Sequence, residues 1–371
     1  MIPLFRVAMA EEAPAEVGQV LLSGYVGQGP KVEEFERALA ERIGNPRVAT
    51  VNSATSGLHL ALALLARQTP ARDEVLTTPL TCTATNWPIL ANGLRPRWVD
   101  VDPETLNVDL DDLARKIGPS TLAIIVVHWA GYPVDLDRLR AILDRAEETF
   151  GHRPMVIEDC AHAWGATYRG RPLGNHGNIA VYSFQAIKHL TCGDGGLMVL
   201  PTDELQRRAR LLRWYGIDRD SGQDMRCQHD IPEWGFKLHM NDINATIGLS
   251  NLAHADSIVA SHRRNAAYLD AHLAGVPGLE LTQRRPDRES SFWIYSIKVA
   301  RREAFVKHMT EAEIAVSEVH ERNDIHSCVR SYATILPGLD SISDQLISIP
   351  VGWWLTDDDL SHIVTTIRAG W

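Results

Sequence analysis

The stretch Val181-Tyr-Ser-Phe-Gln-Ala-Ile-Lys188-His-Leu-Thr-Cys-Gly-Asp-Gly-Gly196 decides how this chain is read. An apolar β-type run over residues 179–184 leads into Lys188, and a glycine-rich turn follows it. Upstream, Met155-Val-Ile-Glu-Asp159 is a second apolar run, ending on a carboxylate. Near-continuous apolar runs of this length are strands covered on both faces. They set a lysine and an acid near the ends of two strands. A lysine poised near a buried acid suits pyridoxal phosphate. The amine makes the Schiff base, and the acid keeps the pyridine nitrogen protonated so that the ring accepts electrons.

Outward from this pair, β-rich runs at 48–52, 74–78, 96–101, 122–128 and 196–200 join the two already named. Helical patterns lie between them, among them Leu58-His-Leu-Ala-Leu-Ala-Leu-Leu-Ala66 and residues 136–150. Seven such runs predict one large, mainly parallel sheet in an α/β fold. Residues 1–30 read as an N-terminal arm and loop, with a helix over 11–22. Residues 31–250 form the large domain, and 251–371 a linking helix and a small α+β C-terminal domain. Within these spans the pattern predicts an exposed loop over 216–235 and one long helix over 241–268. A strand over 293–299 and helices over 302–312 and 357–368 follow.

The chain has 371 residues, 45 % of them hydrophobic, so a full core can be buried. A net charge of −10 disfavours nucleic acid and anionic membrane as partners. Cys82, Cys160, Cys192, Cys227 and Cys328 show neither metal spacing nor a disulfide framework. The start, Met1-Ile-Pro-Leu-Phe-Arg6, lacks an apolar signal core, and no run approaches a membrane span. The expectation is a soluble cytoplasmic protein without a metal.

Asn52-Ser-Ala-Thr55-Ser-Gly57 links a strand to a helix. Free backbone N–H groups and the helix dipole make such a junction an anion site, although Ser and Thr there are more often plain caps. Ser183 falls near the end of another strand, where ligands collect in open α/β sheets. His162, three residues past Asp159, is placed to meet a cofactor oxygen.

In this order, the segments 24–36, 52–57, 78–102, 158–165, 183–196, 235–249 and 349–360 resemble the DegT/DnrJ/StrS family of pyridoxal-phosphate-dependent sugar aminotransferases. The resemblance implies a fold type I transferase. It implies Lys188 as the Schiff-base lysine, Asp159 as the acid at the pyridine nitrogen and His162 beside the ring oxygen. Ala54, Thr55 and Ser183 are implied to hold the phosphate. Family members are homodimers with shared sites, and Gly235-Phe-Lys-Leu-His-Met240 matches a segment that reaches the neighbour's phosphate.

Four departures stand out. Lys237 replaces an Asn in that last segment, and is assigned to the partner's phosphate. Cys82 occupies the place of the ring-stacking aromatic, in Leu80-Thr-Cys-Thr-Ala-Thr-Asn-Trp87, so that Trp87 either covers the ring or packs in the core. His189 follows the lysine where Asn is common, which suggests a substrate contact. Val319-His-Glu-Arg-Asn-Asp324 replaces a tyrosine- and proline-rich substrate strand, leaving His320 and Arg322 as grips for phosphate or hydroxyls.

The implied reaction moves an amino group from an amino acid, glutamate in the family, to a small keto sugar. The implied acceptor is a nucleotide-linked 4-keto-6-deoxy hexose, with a 3-keto sugar or keto-cyclitol open. A sugar dehydratase is the nearest alternative, but such members typically carry His at the lysine position. A regulatory protein on this fold would not need Lys188, and no basic recognition helix or spare domain marks one.

Overall fold

The computed structural model describes residues 1–219 and 230–371. Seven strands form one sheet, in the order Val48–Val51, Gly196–Val199, Ile179–Ser183, Met155–Asp159, Thr121–Val127, Glu74–Thr77 and Arg95–Trp98. Gly196–Val199 runs antiparallel to both of its neighbours, and the other pairings are parallel. The mainly parallel, seven-stranded α/β sheet expected from the apolar runs is therefore present.

Side chains alternate between the two faces, and this alternation places the site. Ile157, Val181 and Met198 pack with Leu58 and Leu62 of the helix Ala54–Gln68. Val156, Ala180 and Leu197 face the other layer, with Phe35 and Leu39 of the helix Pro30–Ile43. Asp159 comes two residues after Ile157, and Ser183 two after Val181. Both thus point to the side of Ala54–Gln68, at the carboxyl ends of parallel strands. The ladder continues past the strand ends through His128 N to Asp159 O (3.2 Å) and Cys160 N to Val181 O (2.8 Å), fixing the acid's backbone.

The C-terminal part carries a second, antiparallel sheet of three strands, Leu279–Leu281, Tyr295–Val299 and Leu346–Ile349. Its buried side chains meet Phe305, Ile363 and Ile367 of the helices Arg302–Glu311 and Asp357–Arg368. The strand begins at Tyr295, which leaves Trp293 outside the ladder and free to serve elsewhere.

Residues 241–268 differ from the single helix expected. They divide into Asp242–Leu252 and Ala255–Leu273, and the chain turns at 253–254. Just before the turn the buried Asn251 side chain accepts from Ala10 N and donates to Thr191 O, both at 2.7 Å. Those bonds tie the first helix to the arm and the lysine loop. The helix of the arm covers Ala13–Ser23. Before it, Ile2 bridges Ile314, and Trp354 Nε1 donates to Pro3 O at 3.1 Å.

Of the loop expected over 216–235, residues 220–229 lie outside the described residues, Cys227 among them. Cys82, Cys160, Cys192 and Cys328 are free thiols. Among the described residues no helix is long and apolar enough to cross a membrane.

Candidate active site

A cavity of about 470 Å³ opens at the carboxyl ends of the parallel strands. Asp159 and Ser183 lie at its base, and Ser53, Ala54 and Thr55 bring in the start of a helix. Lys188 enters from the loop, and Trp293 and His320 from the C-terminal part.

Asp159 is buried and held on both oxygens. Oδ2 accepts from Thr85 Oγ1 at 2.7 Å, and Oδ1 accepts from Ala161 N at 3.0 Å. With its hydrogen given to Asp159, Thr85 accepts in turn from Thr81 Oγ1, 2.7 Å away. Burial pushes the carboxyl above its usual range, and the bonds from Thr85 and Ala161 and the Lys188 amine pull against it. Such an acid is short of positive charge until a cation comes to it.

Glu158 points through the other face of the sheet and belongs to a separate network. His128 Nδ1 accepts from Val134 N at 3.0 Å, so its Nε2 carries the hydrogen and donates to Glu158 at 3.0 Å. Asn178 donates to the second oxygen at 2.8 Å. Burial works to raise the Glu158 carboxyl, but these partners hold it below the usual range. His128, Glu158 and Cys160 lie close enough together to suggest a metal cluster. The bond from Val134 N already uses the one lone pair that His128, protonated at Nε2, would offer a metal.

Lys188 is half-buried, with its Nζ 3.3 Å from the centroid of the Trp293 ring. Burial is the main force on this amine and Asp159 and Cys82 oppose it, leaving its pKa at about 7. A lysine so tuned is part-neutral near physiological pH and able to act as nucleophile and base. Beside it, His162 stacks on Trp293 at 3.9 Å and lies 3.4 Å, Nε2 to Nε2, from His320. Burial keeps both imidazoles neutral, His320 with a pKa of about 4 and His162 well below its ordinary value.

The anion end of the cavity is the turn into Ala54–Gln68. Ser53 caps the helix, accepting from Ser56 N at 3.1 Å. Gly196 backs against this turn, and a Cβ there would lie 2.7 Å from Ala54 N and 2.8 Å from Ser53 C. A residue with any side chain would force the helix start away. The dipole and free N–H groups of the first turn then face the cavity. Pyridoxal phosphate passes this test of fit. The turn suits its phosphate and Asp159 its ring nitrogen, with an amine between them. His162 Nδ1, buried without a hydrogen-bond partner among the described residues, is open to a ligand oxygen.

Lys188, Asp159, Ala54, Thr55, Cys82, His162, Ser183 and His320 are thus brought to one cavity. Three other expected residues are not, and Lys237, expected at the partner's phosphate, lies outside its own chain's cavity as well. Trp87 sits edge-on to His326 at 5.7 Å, packed against the cluster of Leu80 and Trp98, and does not line the cavity. His189 is buried against His262, ring centroids 4.5 Å apart, away from the cavity. Arg322 is committed to Asp324 at 2.7 Å and Asp340 at 2.6 Å. Lys237 is exposed, bridging Trp214 through the backbone. Conversely, Thr81, Thr85, Phe5 and Trp293 line the cavity without having been singled out. Thr81 and Thr85, four residues apart, carried a weak helical-face signal; Phe5 and Trp293 carried none.

A sheet of this topology, with an amine and an acid from its strand ends in one cavity, defines the fold type I class of pyridoxal-phosphate enzymes. Residues 7–368 match the DegT/DnrJ/EryC1/StrS aminotransferase family, and the chain belongs to that family of enzymes. It is similar to the crystal structure of AtS13 from Actinomadura melliaura, with 62 % identity, 100 % of this chain and 99 % of that one covered, and a TM-score of 0.98. It is also similar to the sugar aminotransferase CalS13 from Micromonospora echinospora, with 58 % identity, both chains covered at 100 % and a TM-score of 0.97. A third likeness is to Spr1654 from Streptococcus pneumoniae, a putative sugar aminotransferase solved in its PMP form. There the identity is 26 %, with 100 % and 98 % covered and a TM-score of 0.90.

Proposed function

We propose that this chain is a pyridoxal-phosphate-dependent aminotransferase that passes an amino group from glutamate to a keto sugar. The acceptor is a nucleotide-linked 4-keto-6-deoxy hexose. One observation carries the reading: the Lys188 amine and the Asp159 carboxylate share a cavity at the ends of adjacent strands. The likeness to a protein named a sugar aminotransferase supports the acceptor class.

When bound, pyridoxal phosphate supplies an electron-accepting ring and the carbon that carries the amino group between substrates. Lys188 anchors it and, once released, moves the proton to and from the donor's α-carbon, a task suited to an amine with a pKa of about 7. Asp159 holds a proton at the ring nitrogen and stabilises its charge in a buried setting. Ala54, Thr55 and Ser183 hold the phosphate, joined across a homodimer by Lys237 of the partner subunit. His162 meets the ring oxygen, and His320 meets acceptor hydroxyls.

Borohydride reduction of the loaded protein, followed by peptide mass spectrometry, should find the cofactor on Lys188 and none in Lys188→Ala. A covalent adduct retained in that variant overturns the lysine assignment. Glutamate and a panel of keto sugars, read by product mass, test the acceptor. Transfer to keto acids alone would remove the sugar from the reading.

A further inference from the structure

The geometry points to Trp293 as the seat of the Lys188 amine, a positioning residue that holds the free ammonium over its indole face whenever the lysine is not covalently engaged. This rests on the reading of Lys188 above. Nζ stands 3.3 Å from the ring centroid, well within the range of a cation–π contact. No hydrogen bond from Nζ is present among the described residues; the Trp293 face is in direct contact with the amine, while Asp159 and Cys82 support its charge through space.

The indole is itself fixed. Its Nε1 donates to Ile187 O at 2.9 Å, the carbonyl just before Lys188, so the ring is tied to the backbone that carries its guest. Trp293 N donates to Ala130 O at 3.0 Å. Phe5 and His162 stack on the ring at 5.1 and 3.9 Å. Backbone strain marks the same place. Phe292, immediately before Trp293, sits at φ 52°, in the left-handed region that a bulky residue adopts at a cost. That turn ends just before the strand Tyr295–Val299 and directs the indole away from the small sheet. Val319, just before His320, has φ 67°. Both aromatic side chains delivered by the C-terminal part therefore follow a strained residue.

A tryptophan face offers an ammonium electrostatic support without a counter-ion that would bind it too firmly. Asp159 stays available to the cofactor ring, while the lysine waits within reach of the reacting carbon. Removing the face leaves the amine desolvated with less support, so its proton leaves at lower pH.

The test uses full-length protein loaded with pyridoxamine phosphate, in which the lysine is free. Competitive acetylation with acetic anhydride across pH, read on the Lys188 peptide by mass spectrometry, gives the amine's titration midpoint. Trp293→Leu should lower the midpoint by about one pH unit, and Trp293→Phe by less. Fluorinated tryptophans placed at position 293 preserve shape and drain the ring's negative face, so the midpoint should fall with each added fluorine. This series stands even where Trp293→Leu does not fold. An unchanged or raised midpoint across it overturns the seat. A Lys188 that acetylates with an ordinary surface-lysine midpoint in the unsubstituted protein overturns the reading of Lys188 instead.

Discussion

The Thr85 hydroxyl donates to Asp159 Oδ2 at 2.7 Å, joining the helix Thr83–Ala91 to the end of the strand Met155–Asp159. The bond supports the charged form of an acid that burial works to neutralise. In Thr85→Val the shape is nearly kept and the donor lost. A hydrogen bond to a charged group is worth about 1.5–3 kcal/mol, so kcat/KM should fall at least about tenfold. The acidic limb of the pH profile should move to higher pH, because Asp159 then protonates more readily. Thr85→Ser should restore both, and a Val variant with an unshifted limb would disconnect Thr85 from the acid.

Lys188 ties stability to pH in the cofactor-free protein. Its folded pKa of about 7 lies below the ordinary 10.5, so the folded state holds its proton less well than the unfolded chain. Stability from this group is complete above the ordinary value and is lost as pH falls toward 7. Lys188→Met should thus raise the thermal midpoint at pH 7 and do so progressively less toward pH 10.5. Equal effects at both ends would mean that the amine is not desolvated.

Gly196 is where backbone passes closest to the phosphate turn. The Cβ of Gly196→Ala would press on Ala54 N at 2.7 Å and Ser53 C at 2.8 Å, neither of which can rotate away. Overpacking of this kind costs about 1–3 kcal/mol. Titration with pyridoxal phosphate should show weaker binding beyond any fall in melting temperature. Unaltered affinity would separate this turn from the phosphate.

Arg322 has its guanidinium occupied by Asp324 and Asp340. Arg322→Ala should leave the acceptor KM within about twofold and lower stability by about 1 kcal/mol, the scale of a part-exposed ion pair. A large rise in KM without loss of stability would return this residue to the substrate.

Much of the site was legible because strands impose a simple rule. Asp159 and Ser183 end apolar runs, and period-two alternation puts both on the face of Ala54–Gln68. Of the two places open to Trp87, helix geometry favours the core. Trp87 lies two residues after Thr85, about 200° further round, so when Thr85 faces Asp159 the indole faces away. His189 likewise follows Lys188 directly, and its ring packs on His262.

The sequence by itself determined the sheet, the acid at the carboxyl end of an interior strand with the lysine in the loop after its neighbour, and the helix start that faces them. Each follows from periodicity and chain direction over a few neighbouring residues. Only the tertiary structure decided which side chains surround that pair. Phe5, Thr85, Trp293 and His320 reach one cavity from four distant segments. Their convergence depends on how the arm and the small sheet dock, and on left-handed turns at Phe292 and Val319 that no local pattern announces. The surroundings of Lys188 follow from long-range packing, which residue spacing within any one segment does not encode.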